Sequence, residues 1–127
     1  MAIKYKALER GEPGVAGGGN KQWYASTITQ GERDIDQLTK SIEKISTVSG
    51  ADIRGVLYAL VDVITDDLGN GLIVRLGDLG SMRVSLGSDG VATAEEVTAS
   101  IIRDARTIFT PGAKLKNMLK TLEYKKA

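Results

Sequence analysis

The sequence predicts an α+β fold, and three observations carry that prediction. Residues 1–33 alternate apolar and charged side chains at the period of a strand, and residues 34–70 repeat apolar side chains at helical spacing. From Leu72 onward a glycine-punctuated β segment is answered by a strand ending in Phe109-Thr110-Pro111-Gly112, where a basic helix opens. We therefore expect an N-terminal β extension with a Gly-rich loop over 1–33 and a second domain over 34–127. A chain of 127 residues is long enough for one modest core, or for half of an intertwined dimer.

Within the extension, Ile3, Tyr5 and Ala7 alternate against Lys4 and Lys6, which predicts a strand from Ile3 to Arg10. The stretch from Gly11 to Asn20 reads as a flexible connection. Its glycines do not make a phosphate cradle, because no Gly-Lys-Ser/Thr follows and no helix opens at its end. Trp23 to Thr29 is a second strand, broken by Gly31. The aromatic side chains Tyr5, Trp23 and Tyr24 favour packing of the extension, with base stacking as the other use open to them.

Ile35, Leu38, Ile42 and Ile45 mark a first helix, with Asp34 or Asp36 at the positive end of its dipole. Ser49-Gly50-Ala51-Asp52 opens a second, where the serine accepts from the backbone N–H three residues on. Its apolar set is Ile53, Val56, Leu57, Leu60, Val61, Val63, Ile64 and Leu68. That stripe is too wide for a helix with one neighbour, so part of it is expected to meet a second subunit. Gly69-Asn70-Gly71 ends the helix.

Leu72 to Val84 predicts two short strands kinked at Gly77 and Gly80, and a return strand covers Ser100 to Phe109. Phe109 is assigned to the core. Between them, Ser85 to Ala99 holds no Lys, Arg or Pro but carries Asp89, Glu95 and Glu96, and Thr93-Ala94-Glu95-Glu96 is suited to start a helical turn. Pro111 suits a first helical turn, and the N–H groups from Gly112 onward form an anion seat. Lys114, Lys116 and Lys120 lie on or near that helix, whose apolar face is Leu115, Met118, Leu119 and Leu122.

Composition narrows the chemistry. Cysteine is absent, which suits a reducing compartment, and histidine is absent too, which removes ordinary triads and zinc hydrolysis. Asp66-Asp67 and Glu95-Glu96 are adjacent residues that diverge on a helix, so neither pair converges on one proton or metal. No catalytic residue, metal site or cofactor is expected. The N-terminus has no apolar signal core and no stretch has membrane-spanning length, so the expectation is a cytoplasmic protein without a membrane partner. The net charge of +1 conceals a −4 segment at 34–70 and a +5 segment at 103–127.

The order of these elements, with Gly77-Asp78-Leu79-Gly80-Ser81-Met82 and Phe109-Thr110-Pro111-Gly112-Ala113, resembles the HU/IHF family of bacterial architectural DNA-binding proteins. The family pattern is Gly-aromatic-Gly-x-Phe in the strand pair and Phe-x-Pro-Gly-Lys at the end of the last strand. The resemblance covers about Asp34 to Lys126. It implies an intertwined homodimer with two N-terminal helices, an antiparallel sheet, a pair of DNA-embracing arms and a C-terminal helix. Here the arm interval is shortened and acidic, so the intercalating proline of the family is not carried over. Lys116 matches a family lysine, while the lysine that follows Pro-Gly in the family is replaced by Ala113, with Lys114 one place later.

The resemblance makes double-stranded DNA the partner, and places Arg75, Arg83, Arg103 and Arg106 on the sheet that lines the DNA saddle, beside Gly112, Lys114, Lys116 and Lys120. Taken singly, each arginine is also explained by a solvated strand face. The leading reading is a non-enzymatic, largely sequence-independent DNA-binding homodimer of the nucleoid, contacting phosphates and the minor groove. The alternative is an HU-fold structural or protein-interaction dimer without strong DNA binding, meeting a basic protein through Asp89, Glu95 and Glu96.

Overall fold

In the computed structural model, which describes residues 2–127, the alternating and helical periods become six strands and three helices. These are β1 (Ala2–Arg10), β2 (Gln22–Thr27), α1 (Ile35–Ile45), α2 (Gly50–Gly69), β3 (Val74–Arg75), β4 (Gly80–Ser88), β5 (Ile102–Pro111), α3 (Ala113–Lys120) and β6 (Glu123–Lys126). The chain is α+β. Its contacts form two compact units, one holding the residues up to Arg33 with Met118–Ala127, the other Asp34–Asn117.

The first unit is a three-stranded sheet in the order β2-β1-β6. β1 runs antiparallel to β2, with Tyr5 opposite Thr27 and Arg10 opposite Gln22, and parallel to β6, with Ile3 opposite Tyr124. The sequence groups β6 with residues 34–127, whereas its backbone pairs with the first strand of the chain. Four residues rich in charge, Glu123-Tyr124-Lys125-Lys126, have too little pattern to announce a strand, and only the distant partner makes one. The Gly-rich connection closes on itself through the Glu12 N–H donated to the Gly18 carbonyl.

In the second unit the caps form where the residue types allow. Asp34 accepts from the Gln37 N–H at 2.9 Å, and the Gln37 side chain accepts from the Asp34 N–H at 2.9 Å, a reciprocal box that opens α1. Ser49 accepts from the Asp52 N–H at 3.3 Å and opens α2. At the other end of α2, Asn70 keeps φ at −92° and Gly71 alone takes the left-handed conformation, with φ of 82°. An exposed Arg54–Asp36 ion pair of 3.0 Å ties α1 to α2. The buried Thr39 hydroxyl donates to the Ile35 carbonyl at 2.7 Å.

The apolar stripe of α2 is mostly uncovered. Among the described residues, only Ile53 and Leu68 are buried hydrophobics, while Val56 remains 65% exposed and Val61 58% exposed. Phe109, assigned to the core from sequence, is 47% exposed, its ring lying against Gly80. No helix among the described residues is long and apolar enough to cross a membrane.

The second sheet has the order β3-β4-β5, all antiparallel. β4 extends to Ser88, so the first residues of the acidic interval are strand. A bulge between Gly87 and Ser88 then leads into residues 89–101, which contain two short 3-10 turns, Ala94–Glu96 and Ala99–Ile101. The Thr93 hydroxyl donates to Glu96 Oε1 at 3.1 Å and steadies the first of them.

Candidate nucleic-acid interface

Period-two alternation and the strand register sort the β3-β4-β5 sheet into two unlike faces. Directly opposed residues share a face, so Val74, Met82 and Phe109 lie together, continued by Val84, Leu86 and Ala105. The other face carries Arg75, Ser81 and Thr110 in one row, then Arg83 beside Ile108, then Ser85 beside Arg106. Three of the four sequence-predicted arginines thus share a face. From Ser81 to Ser85 that row extends roughly 13 Å, at about 3.3 Å per residue.

Arg103 stands apart. It sits at the bulge, where its Nε donates to Asp89 Oδ2 at 2.7 Å and its Nη2 pairs with the same carboxylate. The cationic row ends at Asp104, whose carboxylate lies over Gly87.

The proximal end of the row is shaped by backbone contact. Gly77 has φ of 60°, and Gly80, φ of 148°, is buried under the Phe109 ring. A side chain at Gly112 would stand 2.5 Å from the Asp78 carbonyl oxygen and 2.8 Å from that of Gly77. The glycine turn and the β5–α3 junction therefore touch backbone to backbone. The Gly112 N–H donates to the Leu79 carbonyl at 3.0 Å, and the Gly112 carbonyl accepts from the Lys116 N–H at 2.9 Å. Gly112 consequently shapes the site and is not a free donor, unlike the seat expected from sequence. Pro111 is the last residue of β5, opposite Gly80, and does not enter the helical turn. The N–H groups without an intrahelical acceptor are those of the first turn, Ala113 to Leu115.

This junction leaves a hollow of about 290 Å³ lined by Arg75, Gly77, Gly80, Ser81, Thr110, Pro111, Gly112 and Lys116. Two cations, two hydroxyls and a glycine-walled floor suit one phosphate group: the cations supply charge, the hydroxyls donate, and the absent side chains permit close approach. Ser81 and Thr110 were not among the residues singled out by sequence. The signal for Ser81 was available in its parity with Arg83, and for Thr110 in its parity with Arg106. Lys116 and Lys120, four apart, share a side of α3, whereas Lys114 projects from another.

The family model describing an HU domain fused to a wHTH, Ig or glycine-rich motif matches residues 1–126. The chain belongs to this HU-HIG family. An HU-like assignment thus stands over the N-terminal extension as well as the glycine-turn region that carries the sequence resemblance. A search of curated proteins finds no match. Among solved structures, this HU-HIG chain is similar to a candidate bacterial DNA-binding protein from Bacteroides vulgatus ATCC 8482, at 15% identity and a TM-score of 0.68. The match covers 98% of this chain and 48% of that one, so the HU-HIG chain spans about half the length of the structure it resembles. At that identity the likeness is one of fold.

Proposed function

We propose that this HU-HIG chain is a non-enzymatic DNA-binding protein of a divergent HU-like branch, acting at the nucleoid in the cytoplasm. It works as a homodimer that contacts the phosphates and minor groove of duplex DNA with little sequence preference. One observation carries the reading: Arg75 and Lys116 line a glycine-walled hollow from which Arg83 and Arg106 continue along a single sheet face. Lys120 extends the cationic side of α3, Lys114 adds charge at its start, and Arg103 contributes only when released from Asp89. Contacts of this kind position a protein on the duplex without specifying its sequence.

The homodimer is supported by the α2 stripe. A chain this size with two buried apolar side chains among its described residues lacks a core sufficient to hold it folded, and Val56, Leu60, Val61 and Val63 offer the missing surface. The apolar sheet face, with Val84, Leu86 and Phe109 each more than a third exposed, adds to it.

Titration of duplex DNA against salt tests the reading. Two or three phosphates engaged by each saddle half give a log–log slope near −4 to −5, at roughly −0.9 per phosphate. A binding curve flat with salt, or no binding at low ionic strength, overturns it. A second reading, a dimer that meets a basic protein through the acidic connection, is favoured by the exposed Glu95 and Glu96, while Asp89 is already engaged by Arg103. It gains if substitution of those carboxylates, rather than of Lys116, abolishes function.

A further inference from the structure

The β2-β1-β6 sheet has a charge asymmetry that the saddle does not use. Its register puts Lys4 directly opposite Lys125 on the neighbouring parallel strand and Lys6 opposite Ser26, with Arg10 farther along the same face beyond the pair Leu8 and Tyr24. Neighbouring strands lie about 4.8 Å apart, and like charges placed directly opposite on a sheet destabilise it. Among the described residues, none of these four cations forms an ion pair. The one carboxylate in register with them is Glu123, opposite Ala2. The reverse face differs entirely: Ile3, Tyr5, Ala25 and Tyr124 line a hollow of about 580 Å³ there, and the charges are the opposed signs of Glu9 and Lys126.

We propose that the face bearing Lys4, Lys6, Arg10 and Lys125 is a second contact surface for the phosphate backbone of duplex DNA. The inference rests on the DNA-binding reading given above but concerns residues outside the saddle. Lys4 and Lys125, unpaired and opposed across adjacent strands, with Lys6 and Arg10 along the same face, are relieved by a continuous polyanion. A single small anion leaves most of these charges uncompensated. Lys4 and Lys6 are two residues apart on one strand, about 6.8 Å, so they meet successive charges and not a single group. Because Lys125 is brought to Lys4 only by the pairing of the first and last strands, the surface exists only in the folded chain.

The test compares the full chain with the triple variant Lys4→Gln, Lys6→Gln, Lys125→Gln, measuring duplex DNA affinity by fluorescence anisotropy across a salt series. If each copy in a dimer loses the two successive phosphate contacts of Lys4 and Lys6, the slope falls in magnitude by about 4. Replacing the same three residues by Arg restores the wild-type slope, and Lys126→Gln on the reverse face leaves it unchanged. Circular dichroism establishes that the triple variant is folded. An unchanged slope in a folded triple variant, with Lys116→Glu still weakening binding, overturns this inference alone. Absence of salt-dependent binding by the wild-type chain overturns the DNA-binding reading itself. Displacement of DNA by polyglutamate as effective as by competitor duplex, lost in the triple variant, reassigns the face to an acidic protein and also overturns the proposal.

Discussion

In the β3-β4-β5 sheet the cations stand beside a hollow walled by glycine, whereas in the β2-β1-β6 sheet Lys4, Lys6, Arg10 and Lys125 are gathered on one face by strand register alone. Both sheets gather cations on one face by the same alternation, and both rely on a strand from late in the chain. The difference lies in Gly112, which lets the β5–α3 junction approach the Gly77–Gly80 turn so closely that Arg75 and Lys116 line one concavity. Clustered charge alone yields a surface that tracks a polyanion. Charge with fixed backbone around it yields a seat for one phosphate, since the groups are already ordered before the ligand arrives.

The severest way to break this comparison is to remove what holds the second sheet in place, since α2 packs against β3 and β4. If the proposed homodimer is obligate, Leu60→Asp or Ile64→Asp should unfold the chain instead of yielding a soluble monomer, because obligate dimers often have no stable folded monomer. Loss of the cooperative thermal transition checks this, and a well-folded monomer of either variant by sedimentation counts against it.

Next in size is the glycine crossing. Gly112→Ala forces a methyl group onto the carbonyls of Asp78 and Gly77, at a cost of roughly 1–3 kcal/mol in urea unfolding. Gly90→Ala, in the connection where nothing lies within 4 Å, should change stability by less than about 0.5 kcal/mol. Equal effects at the two positions would count against the close crossing at Gly112.

Charge reversal acts on binding with little effect on folding. Lys116→Glu should weaken binding about equally for all duplex sequences and reduce the salt slope by about 2 in a dimer, with the thermal midpoint preserved. Arginines on the sheet should rank by their partners: Arg83→Gln lowers affinity more than Arg103→Gln, because Asp89 already occupies Arg103. Asp89→Asn should raise affinity by freeing that guanidinium. The smallest effect is expected from Glu95→Gln with Glu96→Gln, which leaves affinity unchanged or slightly higher, as read by the same anisotropy titration.

Much of the second unit was legible because its signals are local. Asp34 with Gln37 and Ser49 with Asp52 carry their caps within one helical turn, and the Gly77–Gly80 turn carries its own kinks. Sequence reading placed Arg103 and Arg106 together on one sheet, although their opposite parity along the strand already separates them. The errors came where a residue's role depends on something distant. Pro111 read as the start of a helix because proline fits that position, yet pairing with Gly80 keeps it in the strand. Phe109 read as core because it is aromatic, yet its ring covers Gly80 and stays half open to solvent.

By itself the sequence determined the element order as far as the last helix, the helix caps, the acidic character of the β4–β5 connection and the set of cations from which the proposed DNA contact is drawn. All of these follow from residue type and spacing over a few positions, where backbone preference and hydrogen-bonding reach are decisive. Tertiary structure alone decided that β6 joins β1, that Arg75, Arg83 and Arg106 share a face while Asp89 occupies Arg103, and that Ser81 and Thr110 flank Lys116. Strand register between segments far apart in the chain sets each of these. Register is chosen by the fit of whole faces and by the close approach of Gly112 to the Gly77–Gly80 turn, neither of which any short window of residues contains.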